Sequence, residues 1–238
     1  MTKVWGHRGA SGYAPENTME AFSLALKQGA DGIELDVQLS RDGELVVIHD
    51  EKIDRTSDGK GFVKDYTLAE LKDFNFNNHN EAYGRVTIPT LSEVYELFQG
   101  TGKAINVEIK TGIIFYSGIE EKVLALTKAY GMEEQVIYSS FNHQTMVNMK
   151  KLDPKAKCGL LYADGHLFMD EYCNDLGMDA LHPALYNLQY EGFLKKCKEK
   201  QIPLHVWTVN EEEHMRMCFM AGIDAVITNY PDRALVMR

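Results

Sequence analysis

Near its start the chain reads Val4-Trp5-Gly6-His7-Arg8-Gly9-Ala10-Ser11-Gly12, a short apolar strand that ends in a histidine and an arginine and continues into a glycine-rich loop. A second apolar run, residues 32–37, carries Glu34 and Asp36 two positions apart. In a strand, residues two apart point to the same face. Two carboxylates on one buried face repel each other and are costly to desolvate unless positive charge lies between them. These stretches therefore predict a bound cation.

Short apolar runs alternate with amphipathic stretches along the chain, which is typical of a parallel sheet with crossover helices. The pattern predicts eight strands, at residues 3–7, 32–37, 104–109, 135–139, 157–162, 180–182, 203–209 and 225–228. It predicts a helix after a capping box of Asn17 and Glu20, and further helices at residues 91–98, 118–129, 143–151, 168–176, 191–200, 211–220 and 231–238. Eight strand–helix units in 238 residues predict a (β/α)8 TIM barrel, with a doubly wound sheet as the alternative.

The interval between the second and third predicted barrel strands is too long for a simple crossover. Residues 45–48 form a further apolar run, residues 58–62 are a glycine-rich turn region, and residues 67–74 are amphipathic. A hairpin followed by a small insertion, at about residues 50–90, accounts for this interval better than an unstructured loop. We expect one domain over residues 1–238 that includes this insertion.

The composition is that of an ordinary globular protein, with 45% hydrophobic and 25% charged residues. No segment approaches the roughly 18 consecutive apolar residues of a membrane span, and no basic segment followed by an apolar one precedes the first strand. We therefore expect a cytoplasmic protein without stable membrane association. The formal net charge of −10 argues against a nucleic-acid partner, whereas a small anionic substrate requires local positive charge at its site. The four cysteines lack Cys-x-x-Cys spacing and predict neither zinc nor disulfides.

The polar residues that can carry chemistry follow the predicted strands at one end, which is where barrels place their active sites. Besides the carboxylates of the second strand, His49 follows the added hairpin, and Glu108 and Lys110 end the third barrel strand. Three carboxylates without a cysteine make a hard oxygen site, which favours Mg²⁺ or Ca²⁺, with Mn²⁺ also compatible, over zinc. The predicted metal ligands are Glu34, Asp36 and Glu108.

Two cations and two histidines complete this predicted site. Arg8 and Lys110 suit an oxyanion such as phosphate, because arginine can bind two of its oxygens at once. His7 and His49 can act as general base and general acid, because imidazole titrates near neutral pH. Such a constellation suits the cleavage of a phosphoester.

Each pattern taken alone has a simpler interpretation. A histidine at a strand end is usually an ordinary polar residue, and Glu-x-Asp is a weak motif. Trp207, at the end of the seventh predicted strand, can form an apolar wall for a substrate or belong to the barrel core, and Phe141 after the fourth strand is a weaker candidate of the same kind. The combined interpretation is favoured because four separate segments place these groups at the same end of consecutive strands.

The chain also resembles a known family, glycerophosphodiester phosphodiesterase, over essentially its whole length. The segments that carry the resemblance, in order, are His7-Arg8-Gly9, Pro15-Glu16-Asn17-Thr18, Glu34-Leu35-Asp36-Val37, His49-Asp50, Arg55-Thr56, Glu108-Ile109-Lys110 and Trp207-Thr208-Val209-Asn210. The resemblance implies a TIM barrel with a small insertion after the second strand. It also implies a divalent metal held by the three carboxylates and an acid/base pair made of His7 and His49.

By the same resemblance, Arg8 and Lys110 hold the phosphate, while Trp207 and Phe141 line the glycerol or alcohol side. The implied reaction is hydrolysis of a glycerophosphodiester, such as glycerophosphocholine or glycerophosphoethanolamine, to glycerol 3-phosphate and an alcohol. The sequence does not decide which histidine is the acid, whether water or the glycerol 2-hydroxyl attacks, or what the oligomeric state is. Two alternatives remain: a Mg²⁺-dependent barrel lyase or aldolase, and a non-catalytic phosphoester-binding protein.

Overall fold

The computed structural model describes residues 1–238 and contains nine strands and nine α-helices. The strands are β1 (Lys3–His7), β2 (Gly32–Leu39), β3 (Leu45–Val47), β4 (Ala104–Ile109), β5 (Val136–Ser140), β6 (Cys158–Tyr162), β7 (Ala180–Pro183), β8 (His205–Val206) and β9 (Ala225–Thr228). The helices are α1 (Met19–Lys27), α2 (Leu68–Asp73), α3 (Leu91–Phe98), α4 (Ile119–Ala129), α5 (His143–Leu152), α6 (Met169–Asp175), α7 (Phe193–Glu199), α8 (Glu212–Ala221) and α9 (Pro231–Met237). None of them combines the length and the apolar character needed to cross a membrane.

Eight of the strands form a parallel barrel. Hydrogen-bonded neighbours follow the order β7-β6-β5-β4-β2-β1-β9-β8, and single bridges from Leu181 to Leu204 and from Ala184 to Trp207 join the two ends of this order. The helices lie between consecutive strands, as right-handed crossovers require. The predicted (β/α)8 TIM barrel is confirmed.

The seventh barrel strand is shorter than the sequence predicts. The apolar run predicts a strand over residues 203–209, but regular pairing covers only His205–Val206. Pro203 has no N–H to contribute to a ladder. Leu204 and Trp207 meet β7 through single bridges only, so the barrel is less regular at this seam.

The predicted hairpin and insertion are present. β3 pairs antiparallel with the end of β2, from Val37 opposite Val47 to Leu39 opposite Leu45. A second cluster of seven buried apolar side chains joins β3 to the insertion that follows it, and its members are Val46, Ile48, Ile53, Val63, Leu71, Phe76 and Ile88. This cluster holds the insertion against the rim where β2 ends.

The main core lies between the barrel and its helices and contains 45 buried residues. Because the strands are covered on both faces, their outward side chains are almost all apolar. A smaller cluster of Trp5, Ala225 and Ile227 lies on the inner face. Polar side chains are also buried within the barrel, among them Asn106 and His182, and Glu108 lies near the carboxyl end of β4, at the barrel mouth.

The loop after β1 shows one error in the predicted helix start. The N-cap of α1 is Thr18, whose hydroxyl accepts the N–H of Ala21 at 3.2 Å, and Asn17 does not cap the helix. Gly9 in this loop has a φ of +82°, and a Cβ there would lie 2.6 Å from the backbone of Ala21. The loop therefore packs directly on α1, and Asn17 is released for another role described below.

Inside the barrel, Gly159 in β6 lies against the buried ring of His182. A Cβ at residue 159 would lie 2.3 Å from Nε2 of His182, which is also hydrogen-bonded to Nδ1 of His205 at 2.8 Å. We expect Gly159→Ala to lower the free energy of unfolding by about 1–3 kcal/mol, the usual cost of overpacking, in urea denaturation.

The matched control for this variant is Gly112→Ala, where no neighbouring atom lies within 4 Å of the new Cβ. Its free energy of unfolding should change by less than about 0.5 kcal/mol. Equal losses in the two variants would contradict the close contact between Gly159 and His182.

Candidate active site

Three carboxylates meet at the mouth of the barrel. Glu34 and Asp36 leave the same face of β2, and Glu108 stands beside Asp36 on β4 because the two residues are partners in the strand register. Their ligand oxygens all lie within 4.8 Å of one another. The three residues are only 5%, 0% and 7% exposed. The predicted convergence of these carboxylates is therefore present in the structure.

The pKa values of the three carboxylates are shifted in different directions. Burial, together with the charges of Asp36 and Glu108, raises the pKa of Glu34 well above its ordinary value of 4.5. Burial also raises the pKa of Glu108, against the opposing effect of Lys110. Asp36 is equally buried, but the cations Lys110 and Arg8 outweigh that burial and lower its pKa. Asp36 is thus the most readily charged of the three and Glu34 the least.

Arg8 and Lys110 bring positive charge to this cluster. Nε of Arg8 lies 3.4 Å from Oδ2 of Asp36. Nζ of Lys110 donates to Glu108 at 2.8 Å and lies 3.7 Å from Oδ1 of Asp36. Arg8 has a φ of 54°, and its backbone N–H donates to Glu34 at 3.0 Å. Its unusual backbone conformation therefore directs both the main chain and the guanidinium toward the carboxylates.

His7 lies against the same cluster and has a neutral partner. Its Nε2 is 4.0 Å from Oε2 of Glu34, and its Nδ1 is 2.7 Å from Oδ1 of Asn229, which directly follows β9. With that amide oxygen as acceptor, Nδ1 carries the proton and Nε2 has a free lone pair. Burial and the neighbouring guanidinium of Arg8 lower the pKa of His7 to about 4.

His49 has a different kind of partner. Its Nδ1 is 2.6 Å from Oδ1 of Asp50. Burial raises the pKa of Asp50, but hydrogen bonds from Arg55 and His49 outweigh it and lower that pKa to about 2. One histidine therefore pairs with an amide and the other with a carboxylate.

The predicted aromatic residues lie together at the mouth. The rings of Phe141 and Trp207 meet edge to face with 5.5 Å between their centres. Nε1 of Trp207 donates to the carbonyl of His182 at 2.8 Å, which fixes the indole, while Phe141 is 43% exposed. The pair offers an apolar surface beside the charged cluster.

The acidic cluster fits a divalent cation. Oδ1 of Asp36 is buried without a hydrogen-bond partner, although buried polar atoms are nearly always paired. It lies among further carboxylate oxygens of Glu34 and Glu108, and no cysteine takes part in the cluster. An all-oxygen donor set is the kind that Mg²⁺, Ca²⁺ and Mn²⁺ prefer. The three residues could therefore hold such an ion.

Several residues at the site were not assigned from the sequence. Asn17 has a φ of 55° and its amide donates to Asp36 at 2.8 Å, while Asn229 orients His7. Glu16 and Arg55 form ion pairs that connect the loop after β1 with the insertion. Two signals were available, because Glu16, Asn17 and Arg55 lie in segments that carry the family resemblance and Asn229 directly follows a barrel strand at the mouth. The partners of these side chains are apparent only in the folded chain.

The chain is similar in sequence to known proteins over nearly its whole length. A family model described as the glycerophosphoryl diester phosphodiesterase family matches residues 7–233. A glycerophosphodiester phosphodiesterase from Caldanaerobacter subterraneus subsp. tengcongensis is 47% identical over 234 residues, which cover 97% of this chain and 95% of the relative.

Solved structures are similar over the same length. A glycerophosphodiester phosphodiesterase from Thermotoga maritima has a TM-score of 0.83 and 31% identity, covering 100% of this chain and 99% of that structure. A phosphodiesterase from Oleispira antarctica, solved in complex with the product sn-glycerol-3-phosphate, has a TM-score of 0.84 and 29% identity, covering 100% and 96% of the two chains. These similarities span the barrel and its insertion together.

The raised pKa of Glu34 gives a testable dependence of stability on pH. The folded protein holds the proton of this carboxyl more tightly than the unfolded chain, so the metal-free protein loses stability as the pH rises above the ordinary value of 4.5. Glu34→Gln removes this loss and should raise the free energy of unfolding at pH 8, measured by denaturation with a chelator present.

Asp36→Asn is the matched control, and the opposite result is expected for it. Its pKa is lowered by Lys110 and Arg8, so its charge adds stability above its ordinary pKa of 3.8 that is lost as the pH falls through the lowered value. Removing that charge should lower the free energy of unfolding at pH 8. A Glu34→Gln variant that is less stable than the wild type at pH 8 would contradict the repulsion between the carboxylates.

Proposed function

The chain belongs to the glycerophosphoryl diester phosphodiesterase family, and we propose that it hydrolyses glycerophosphodiesters to sn-glycerol 3-phosphate and an alcohol with one divalent cation and two histidines. The observation that carries the proposal is the meeting of three carboxylates, two cations and two imidazoles at one end of the barrel. The product bound to the Oleispira antarctica relative supports the same product here. Small diesters such as glycerophosphocholine and glycerophosphoethanolamine are the substrates proposed.

Glu34, Asp36 and Glu108 would hold the cation. Because all the donors are carboxylate oxygens, we propose Mg²⁺ or Ca²⁺, and Mn²⁺ is also compatible. A divalent ion bound there would offset the negative charge that develops on the phosphate oxygens. It would also offset the burial and the repulsion from Asp36 and Glu108 that together raise the pKa of Glu34. In this proposal, three acidic side chains are buried together because they bind this ion.

Arg8 and Lys110 bind the phosphate of the substrate in this proposal. Both side chains are held in place, since they are paired with carboxylates of the cluster. Because their charges are fixed before the substrate arrives, they stabilise the developing charge without rearrangement. The edge-to-face pair of Trp207 and Phe141 lines the glycerol or alcohol side of the substrate.

The hydrogen-bond partners of the two histidines support a different role for each of them in this proposal. His7 is the general base, because its partner Asn229 fixes the proton on Nδ1 and leaves the lone pair of Nε2 facing the site. His49 is the general acid, because the carboxylate of Asp50 can offset the charge of a doubly protonated ring. Nε2 of His7 takes the proton of the attacking hydroxyl as its oxygen forms the new bond to phosphorus. The bond from phosphorus to the departing oxygen breaks, and His49 gives that oxygen a proton.

Binding of a cation can be measured apart from activity. Adding Mg²⁺ or Ca²⁺ to chelator-treated protein should raise the unfolding temperature, because a ligand at 100 times its dissociation constant adds about 2.7 kcal/mol of stability. Glu108→Gln should lose most of this shift, and Glu121→Gln, an exposed carboxylate on α4, should retain it. Equal shifts in both variants would exclude the carboxylate cluster as the site.

The roles of the histidines predict different responses to the leaving group. His7→Ala and His49→Ala should each lower kcat on glycerophosphoethanolamine by about 10²-fold or more, while His214→Ala on the exposed face of α8 should not. On the p-nitrophenyl diester of glycerol phosphate, whose leaving group needs no proton, His49→Ala should recover most of its kcat. His7→Ala should not recover. Recovery of His7→Ala instead would reverse the assignment, and near-normal kcat in either variant on the first substrate would remove that histidine from the mechanism.

A further inference from the structure

Arg55 joins two parts of the site that the sequence keeps apart. Its Nη1 and Nη2 donate to the two carboxylate oxygens of Glu16 at 2.8 Å each. Its Nε donates to Oδ2 of Asp50 at 2.7 Å, and Nη2 also reaches Oδ1 of Asp50 at 3.1 Å. Every nitrogen of one guanidinium therefore contacts a carboxylate. Such paired, two-point contacts fix both carboxylates in direction as well as position.

Each carboxylate that Arg55 holds is itself in contact with a proposed functional side chain. Asp50 accepts from Nδ1 of His49, so the position of the acid depends on Asp50. Glu16 accepts from Nη1 of Arg8 at 2.8 Å. The contacts form one chain from the acid, through Arg55, to the residue that binds phosphate.

The place of Arg55 in the fold explains why such a link is needed. Residues 50–90 form the insertion, which shares a buried apolar cluster with β3 and contacts the barrel rim beside β2. His49 stands at the start of this insertion, whereas His7 and Arg8 belong to β1 and its loop. The spacing between the two histidines depends on how the insertion is fastened to the loop after β1, and also on Gln38 of β2, whose side-chain amide donates to the carbonyls of His49 and Asp50 at 3.1 Å and 2.7 Å. The ion pair of Arg55 and Glu16 is one of two direct polar connections between the insertion and that loop, and the other is the hydroxyl of Tyr83, which donates to the carbonyl of Tyr13 at 3.0 Å.

We infer that Arg55 is a positioning residue, which fixes His49 through Asp50 and Arg8 through Glu16 and thereby sets the geometry of proton donation and phosphate binding. The inference rests on the proposed acid and base roles of the two histidines. It assigns Arg55 no contact with the substrate. Lysine is a poor substitute, because one ammonium cannot bind both oxygens of two carboxylates in fixed directions.

The experiment compares two diesters that differ only in the leaving group, glycerophosphoethanolamine and the p-nitrophenyl diester of glycerol phosphate. Arg55→Gln should lower kcat on the first by about 10-fold or more, since misplacing a catalytic group by about 1 Å can cost 10²-fold. On the p-nitrophenyl diester, kcat should fall by less than about 3-fold, because no proton is needed there. Arg55→Lys should lie between Arg55→Gln and the wild type.

Single variants at the partners separate the two branches of this chain. Asp50→Asn should reproduce the kcat loss and its recovery on the p-nitrophenyl diester, and Asp50→Asn with Arg55→Gln should be no worse than Asp50→Asn alone in kcat. Glu16→Gln should raise KM for both diesters, because Arg8 binds the phosphate that they share. The matched control is Arg41→Gln, which removes the 2.9 Å ion pair to Glu70 in the same region, between side chains that are 53% and 48% exposed. It should leave kcat and KM unchanged on both substrates.

The outcomes distinguish this inference from the proposed function. If His49→Ala recovers on the p-nitrophenyl diester but Arg55→Gln loses kcat equally on both diesters, the roles of the histidines stand and the inference is wrong. The same holds if the kcat losses of Arg55→Gln and Asp50→Asn multiply in the double variant, or if Arg55→Gln has normal kcat. If Arg55→Gln does not fold, the same comparisons are made with Arg55→Lys, and a loss independent of the leaving group again overturns the inference. If His49→Ala itself fails to recover, the proposed function fails first.

Discussion

The repulsion between three buried carboxylates is the constraint on which this molecule depends. Glu34, Asp36 and Glu108 lie within a few ångströms of one another at the barrel mouth, and their oxygens lie within 4.8 Å of one another. The charges of Lys110 and Arg8 lower the pKa of Asp36, whereas the pKa of Glu34 stays raised. Such an arrangement is unfavourable for folding alone and is retained where a site requires it. The surrounding residues follow from the need to hold these charges in place.

The register of the barrel strands holds several of these groups in place. His7 is level with Glu34 on the neighbouring strand, and Asp36 is level with Glu108. The pairing of the main chains alone therefore brings these four side chains together. The groups outside the barrel strands are held differently. His49 and Arg8 depend on the carboxylates of Asp50 and Glu16, and both carboxylates are bound by Arg55. The site thus combines a rigid half built on strands with a half fastened by ion pairs.

The sequence predicted the parts of this structure that repeat or alternate. Spacing of two along a strand was enough to place Glu34 and Asp36 on one face, and alternation of strands and helices was enough for the barrel. The sequence-based prediction was wrong where tertiary contacts outweigh local preference. Thr18 caps α1, and the side chain of Asn17 donates to Asp36 on β2 instead of capping the helix. The prediction also overstated β8, where pairing with β7 is reduced to single bridges. The partner of His7 is Asn229, which lies 222 residues further along the chain, and no local pattern indicates such a pair.

The measurement that tests the central claim most directly is anomalous X-ray scattering from crystals of the protein soaked in Mn²⁺. The account predicts a single strong peak bonded to carboxylate oxygens of Glu34, Asp36 and Glu108, with Arg8 and Lys110 beside it. No peak at this position under saturating Mn²⁺ would contradict it.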